Sequence, residues 1–400
     1  MHLYREFVLG LALAAGVVAS AFHIESPEVS TVDIDPAADP LHALAQLQQR
    51  AHESLQAAVN VTKRSLGACS LKFTTVRKDW ERMTKTERKD YIRAVQCLQT
   101  MPSKSDPAWA PAAKSRYDDF VAVHVNQTMF IHGNGLFLTW HRYFVWTYEQ
   151  ALRDECSYKG YQPYWNWFSH TDDIYKSAVF DGSDTSMGGD GAFVFHNGSL
   201  AGARTIYIPS GKGGGCITSG PFKDLLANIG PISPGMQGIS PVVADITQYN
   251  RRCLRRDLSS YIPQKWFTTA NLLNVTVGQA SHTHAGFWAE VQGRYPDGFL
   301  GLHTSGHYTM GGDATDLYSS VNDPAFWLHH AMLDHVYWIW QALHPKEANK
   351  VTGTLTLQNK PPTRNATIDE PLDMGVNGNT LKIRDMLDTL TGAPLCYIYA

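Results

Sequence analysis

The 400-residue sequence lacks a Cys-x-x-Cys pair, and no Gly-Lys-Ser/Thr loop follows its glycines. The first absence removes the usual zinc-ribbon pattern and the second a phosphate cradle, so "GKGGGC" at 211–216 is an ordinary loop. No internal repeat is present, which excludes a solenoid. Charge of one sign is also missing. The 34 basic and 37 acidic residues nearly cancel, and no run of like charge stands out, so neither nucleic acid nor an anionic membrane surface is implied as a partner. Long apolar runs are absent too. The best, Phe7 to Ala19, is too short to span a bilayer.

That run has a different meaning. Arg5 precedes it and Ala19-Ser20-Ala21 follows it, the charged, apolar and small-residue segments of a secretory signal peptide over 1–21. We read 22–45, with Pro27, Pro36 and Pro40, as a leader or propeptide-like segment, and 46–400 as one folded domain. Secretion makes the six cysteines candidates for disulfides. Sequence does not choose among the pairings. Cys69 with Cys97, which bracket one helical unit, is the pair we take. Sequons at Asn60, Asn126, Asn197, Asn274 and Asn365 fit the same compartment, although Asn126 falls in a stretch assigned to the core.

Helical periodicity runs from Leu41 to Val61. Thr84 and Glu87 form a capping box ahead of a helix that Pro102 ends. "RYDDFVAVHVNQTMFIHGNG" is a helix stopped by Gly133 and Gly135, and the next begins at a Thr139 N-cap and reaches about Glu155. Residues 181–240 are rich in Gly, Ser and Pro, a long loop that suggests a functional rim. Helical pattern returns near 281–292 and 300–308. The clearest helix follows Asp323 and Pro324. Short strands and turns fill the chain from 351.

Seventeen histidines are available, and in two regions they lie among apolar residues. His124, His132 and His141 sit on a helix, beside a glycine break and early in the next helix. His303 and His307 share a helical face at i, i+4, and His330 lies within the clear helix. Each set could bring three imidazoles to one point in a helical bundle, where metal ligands often come from facing helices. Such donors suit copper, zinc, iron or nickel and leave a position open for an outside ligand. His282 and His284 read as lining the approach or bonding backbone, His329 as a core residue facing away from the ligands, and His335 and His344 as ordinary helix-surface or helix-end residues.

"IHGNGLFLTWHRYFVWTYEQAL" and "DPAFWLHHAMLDHVYW" resemble the copper A and copper B signatures of the tyrosinase, catechol oxidase and hemocyanin family, and "PYWNW" at 163–167 resembles a third landmark. The likeness runs in motif order over most of 60–400. It implies a mainly α fold: a four-helix-bundle core carrying a dinuclear copper site, with long loops and short peripheral strands. It assigns His124, His132 and His141 to one copper and His303, His307 and His330 to the other. His330 is selected over His329 by its distance from Asp323-Pro324. O2 is then the co-substrate, and a small phenolic or aminophenolic molecule the partner. Phe326 would pack beside the copper B ligands and against the substrate ring. Asp334 would orient a ligand imidazole.

Three departures from the family pattern matter. Monophenol-hydroxylating members carry an Asn after the first copper B histidine and a Glu about eleven residues before it, which together hold a basic water. Here Thr304 and Gln292 stand there, with Glu290 two residues from the count. An amide is not a general base. The residues thus point to oxidation of o-diphenols or o-aminophenols, in pigment or secondary-metabolite formation. The alternatives are a full tyrosinase, a zinc-loaded non-redox member of the fold and a hemocyanin-like carrier. Phe130 occupies the position of a thioether-forming Cys, so no thioether is expected. The closing Tyr-x-Tyr is Tyr397 and Tyr399, with no lid domain expected after it.

Overall fold

A computed structural model describes residues 34–62, 69, 74–202, 204–390 and 394–400. The signal peptide and most of the leader lie outside the described residues. The elements are α1 (Pro40–Thr62), β1 (Thr75–Arg77), α2 (Lys85–Thr100), α3 (Arg116–Ile131), α4 (Phe137–Asp154), β2 (Gly191–Phe193), β3 (Ser199–Ala201), β4 (Ile206–Ile208), β5 (Gly214–Ile217), β6 (Leu226–Ala227), β7 (Arg252–Cys253), α5 (Tyr261–Trp266), α6 (Thr269–Thr276), α7 (His284–Gln292), α8 (Gly301–Met310), α9 (Ala325–Leu343), β8 (Pro371–Leu372), β9 (Leu381–Lys382) and β10 (Tyr397–Tyr399). The fold is mainly helical. Its strands form only two-stranded ribbons among the described residues, and β1 pairs in parallel with β10.

The core is α3, α4, α8 and α9. Helix α9 is buried along nearly all its length, because its apolar residues run round every face rather than along one stripe. Tyr148 of α4 stacks on Trp327 of α9 with ring centroids 3.7 Å apart, and Phe120 of α3 meets both edge-on. The aromatic rings of α3, α4 and α9 thus share one core. Capping chemistry sets several boundaries. Thr84 and Glu87 exchange both bonds of the capping box at the start of α2. Asp323 accepts from the Ala325 amide at 2.9 Å and also binds Arg256, which fixes the entry to α9.

Three expectations are corrected. Helix α4 starts two residues before Thr139, whose hydroxyl bonds back to the Leu136 carbonyl instead of capping. The disulfides are Cys69–Cys396, Cys97–Cys156 and Cys216–Cys253, not Cys69–Cys97. Pairing follows helix and strand packing: α2 lies against α4, so Cys97 meets the residue just past α4, and Cys69 meets the approach to β10. Asn126 is exposed on the outer face of α3, not in the core.

Candidate metal centre

Helices α3 and α4 meet at the break His132-Gly133. Gly133 has φ +55°, a conformation glycine adopts without strain, and a Cβ there would stand 2.9 Å from a Leu357 methyl. The break brings His124, His132 and His141 together, so that one ligand atom from each lies within 4.8 Å of the others. All three are buried. Their Nδ1 atoms face backbone carbonyls: His124 to Tyr318 at 2.7 Å, His132 to Thr128 at 3.0 Å and His141 to Phe137 at 2.8 Å. A carbonyl only accepts, so each Nδ1 carries the proton and each neutral ring presents a bare Nε2. The Nε2 atoms of His124 and His141 have no protein partner.

His303 and His307 on α8 meet His330 on α9 in a second cluster. His307 Nδ1 donates to the Ala314 carbonyl at 3.0 Å, and its Nε2 lies 3.1 Å from His303 Nε2 and 3.3 Å from His330 Nε2. Two nitrogens that share one ion at about 2.0–2.1 Å can be no more than about 4 Å apart, so these spacings fit one ion. The two triads touch: His141 stacks on His330 at 4.6 Å, and Phe326 wedges between His330 at 4.1 Å and His124 at 5.5 Å. Burial pushes every one of the six imidazoles below its ordinary pKa, His132 to about 4 and His307 to about 3, with the neighbouring rings adding to the effect around most of them. All are neutral acceptors at physiological pH. The donor set fits the two soft-to-borderline metal ions that the sequence implies.

His329 lies close enough to the second triad to make a fourth candidate. Its Nδ1 accepts from the Trp167 indole N–H at 3.1 Å. Indole nitrogen only donates, so the neutral His329 ring carries its proton on Nε2 and has no lone pair left for a metal. It stacks on His303 at 5.4 Å and supports that ring. Gly306 leaves room for it: a Cβ there would fall 2.1 Å from His329 Cε1. Gly306→Ala should therefore displace His329, cost about 1–3 kcal/mol and weaken metal retention in the second triad. Thermal unfolding and metal content of the variant test this, and wild-type values for both would remove His329 from the support of His303.

The other expected site residues are spread differently. A cavity of about 610 Å³ opens above His132, His303 and His307, and both Gln292 and Thr304 line it. Gln292 Oε1 accepts from the Gly133 amide at 3.0 Å. Thr304 spends its proton on the Gln292 carbonyl at 3.1 Å, so Tyr295 donates to it at 2.9 Å. Glu290 faces away, its carboxylate bound by Asn274 and Arg294. Phe326 is fully buried under the ligands and is absent from the cavity wall. Asp334 accepts from no imidazole among the described residues, contrary to expectation. It accepts from Arg142 at 2.5 Å, Arg77 at 3.3 Å, Tyr397 at 2.5 Å and Tyr399 at 2.6 Å, so it acts on the first triad only through Arg142, the neighbour of His141. His335 is not a surface residue; it is buried between Tyr164 and Tyr399. His282 and His284 are not in the cavity wall, and the His284 ring packs on Trp340. Sequence reasoning missed Tyr295, Leu357 and the Trp167–His329 bond. Only the last had a signal, the "PYWNW" landmark.

Fold and histidines together define a class: helical proteins whose bundle core can hold two metal ions on imidazole alone. The model for the common central domain of tyrosinase matches residues 114–343. The chain belongs to the tyrosinase family, and with it to the copper oxidoreductases. It is 36% identical to tyrosinase P of Aspergillus terreus over 332 residues, 81% of this chain and 91% of that one. It is 33% identical to the N-acetyl-6-hydroxytryptophan oxidase ivoB of Emericella nidulans over 381 residues, 90% of this chain and all of that one. The structure of a polyphenol oxidase variant from Thermothelomyces thermophila superposes with TM-score 0.84 at 34% identity, covering 92% of this chain and all of that one.

Proposed function

We propose that the chain is a secreted dicopper oxidase that uses O2 to convert o-diphenols or o-aminophenols to o-quinones or quinone imines. His124, His132 and His141 would hold one copper, and His303, His307 and His330 the other. Bound copper supplies reversible electron transfer to O2. Two diphenols lose two electrons and two protons each, and one O2 takes up all of them to give two waters.

The observation that carries the choice of substrate is the absence of a free carboxylate in the cavity wall. Among the described lining residues the only one is Asp316, and its two oxygens are filled by the backbone amides of Ile232, Ser233, Tyr318 and Ser319. Gln292 and Thr304 are held by their own hydrogen bonds and cannot take a phenol proton. An o-diphenol or o-aminophenol is oxidised without the hydroxylation step that needs such a base. Phe326 keeps the His330 and His124 rings in place from below.

Names of relatives support a role in small-molecule metabolism, since one is an oxidase of N-acetyl-6-hydroxytryptophan. The signal peptide at 1–21, the leader that gives way to α1, three disulfides and exposed sequons at Asn126, Asn197 and Asn365 support secretion. Metal analysis with O2 uptake on catechol, 2-aminophenol and tyramine tests the reading. Two coppers per chain with uptake on the first two substrates is expected; zinc, or no uptake, overturns it. Installing the missing pair as Thr304→Asn with Gln292→Glu should raise tyramine hydroxylation by about tenfold or more, toward the lower range of a general base. No gain from the pair would show that the base is not what limits monophenols.

A further inference from the structure

Two charged side chains line the cavity among the described residues, and they stand in opposite states. Asp316 is buried and filled by four amides. Arg204 is exposed at the cavity wall and has no ion pair or hydrogen bond among the described residues. Arg204 is therefore the one charged side chain on the described wall left without a partner, and it calls for an anionic group on the ligand.

Arg204 does not sit on a loose loop tip. It lies in the turn between β3 and β4, and that hairpin is fastened to α8 in two places. Tyr308 donates to the Leu200 carbonyl at 2.9 Å. Gly202 rests on the Tyr295 ring so closely that a Cβ would stand 2.6 Å from its Cγ, and Tyr295 is bonded to Thr304. Thr304 and Tyr308 are the residues that follow His303 and His307. Each histidine of the α8 pair is thus tied through its neighbour to the turn that carries the guanidinium. This sets the separation between the cation and the metal-binding floor. The cavity volume of about 610 Å³ lies in the range that takes a drug-sized ligand, more than a bare catechol ring fills.

We propose that Arg204 is a specificity-determining residue that receives the carboxylate of a phenolic acid while the ring lies over His303 and His307. The planar guanidinium can donate two parallel N–H bonds to a carboxylate. The proposal rests on the oxidase reading for the fate of the ring, but not for the binding of the acid.

The test uses 3-(3,4-dihydroxyphenyl)propanoate and its amide as a matched pair on the copper-loaded protein. Wild type should show the lower KM for the acid. Arg204→Gln should raise the ratio of the acid's KM to the amide's by about fivefold to tenfold, the range between an exposed ion pair and a charge-assisted hydrogen bond. The change should fall on KM rather than kcat, and Arg204→Lys should restore part of it. The wild-type preference should shrink as salt is raised. Calorimetry with 3-phenylpropanoate, which has no oxidisable hydroxyl, gives a second reading independent of turnover, and Arg204→Gln should weaken that binding by a similar factor. An unchanged acid-to-amide ratio, or equal calorimetric affinity in wild type and Arg204→Gln, overturns the role of Arg204. Failure of every phenol to be oxidised overturns the oxidase reading instead, and calorimetry still decides the proposal.

Discussion

His330→Gln will lower the metal content from the two ions per chain expected of the wild type to one, and will lower catechol oxidation by more than about 100-fold. His329→Gln, one position away, will still bind two ions, the second somewhat more weakly because a ring that supports His303 is lost but no ligand is. The contrast follows from proton bookkeeping. Trp167 donates to His329 Nδ1, which puts the His329 proton on the nitrogen that would have to bind metal. His330 Nε2 stands 3.3 Å from His307 Nε2 with no such obstacle. Metal content by mass spectrometry and an O2 electrode read the two variants directly. Loss of an ion from the His329 variant, with retention in the His330 variant, would reverse the assignment.

The second large effect is on stability. Asp334 holds two guanidinium groups and two phenols in a region closed to water. Asp334→Ala leaves Arg142 without a carboxylate partner among the described residues, while Arg77 keeps Glu149 at 2.9 Å. Removing one partner from a buried ionic hub costs about 3–5 kcal/mol, so Tm should fall by roughly 10 °C. The pH dependence has a definite sign. Burial alone would raise the Asp334 pKa, but Arg142 and Arg77, with bonds from Tyr397 and Tyr399, outweigh it and hold the carboxyl below its ordinary value of 3.8. A depressed folded pKa contributes stability above the unfolded pKa and loses it as pH falls through the folded one. The wild type should thus lose this contribution only below about pH 4, and the Asp334→Ala variant should show a flatter acid limb. A variant with wild-type Tm would mean that Arg142 finds a new partner.

Much of the fold was legible because its signals are local. The capping box at Thr84, the glycine break after His132 and the i, i+4 spacing of His303 and His307 each act over a single turn. The six histidines were readable for a related reason: imidazoles are rarely set among apolar residues without a use. What failed depended on contacts between distant segments. The partners of Cys69 and Cys97 are fixed by which helix and strand ends meet. Asp334 shares a helix with His330, which suggested a bond to an imidazole, but its carboxylate meets side chains from β1, α4 and β10. His335 was read as a surface residue because nothing near it in sequence shows that Tyr164 and Tyr399 cover it. Arg204 and Tyr295 carried no signal, since their roles depend on a hairpin folding back over α8.

The parallel pairing of β1 with β10 also bears on assembly. Arg77 and Tyr399 are bonded across 322 positions of chain. Synthesis runs from the first to the second, so all four helices of the bundle are made before β10 exists. Until that strand arrives, Asp334 lacks the two tyrosine hydroxyls that complete its site, and the helix bearing His330 is held by its apolar contacts and by the bonds of Asp334 to Arg142 and Arg77. A nascent chain can therefore gather its histidines before the Asp334 hub is complete, and the last residues made are the ones that finish it.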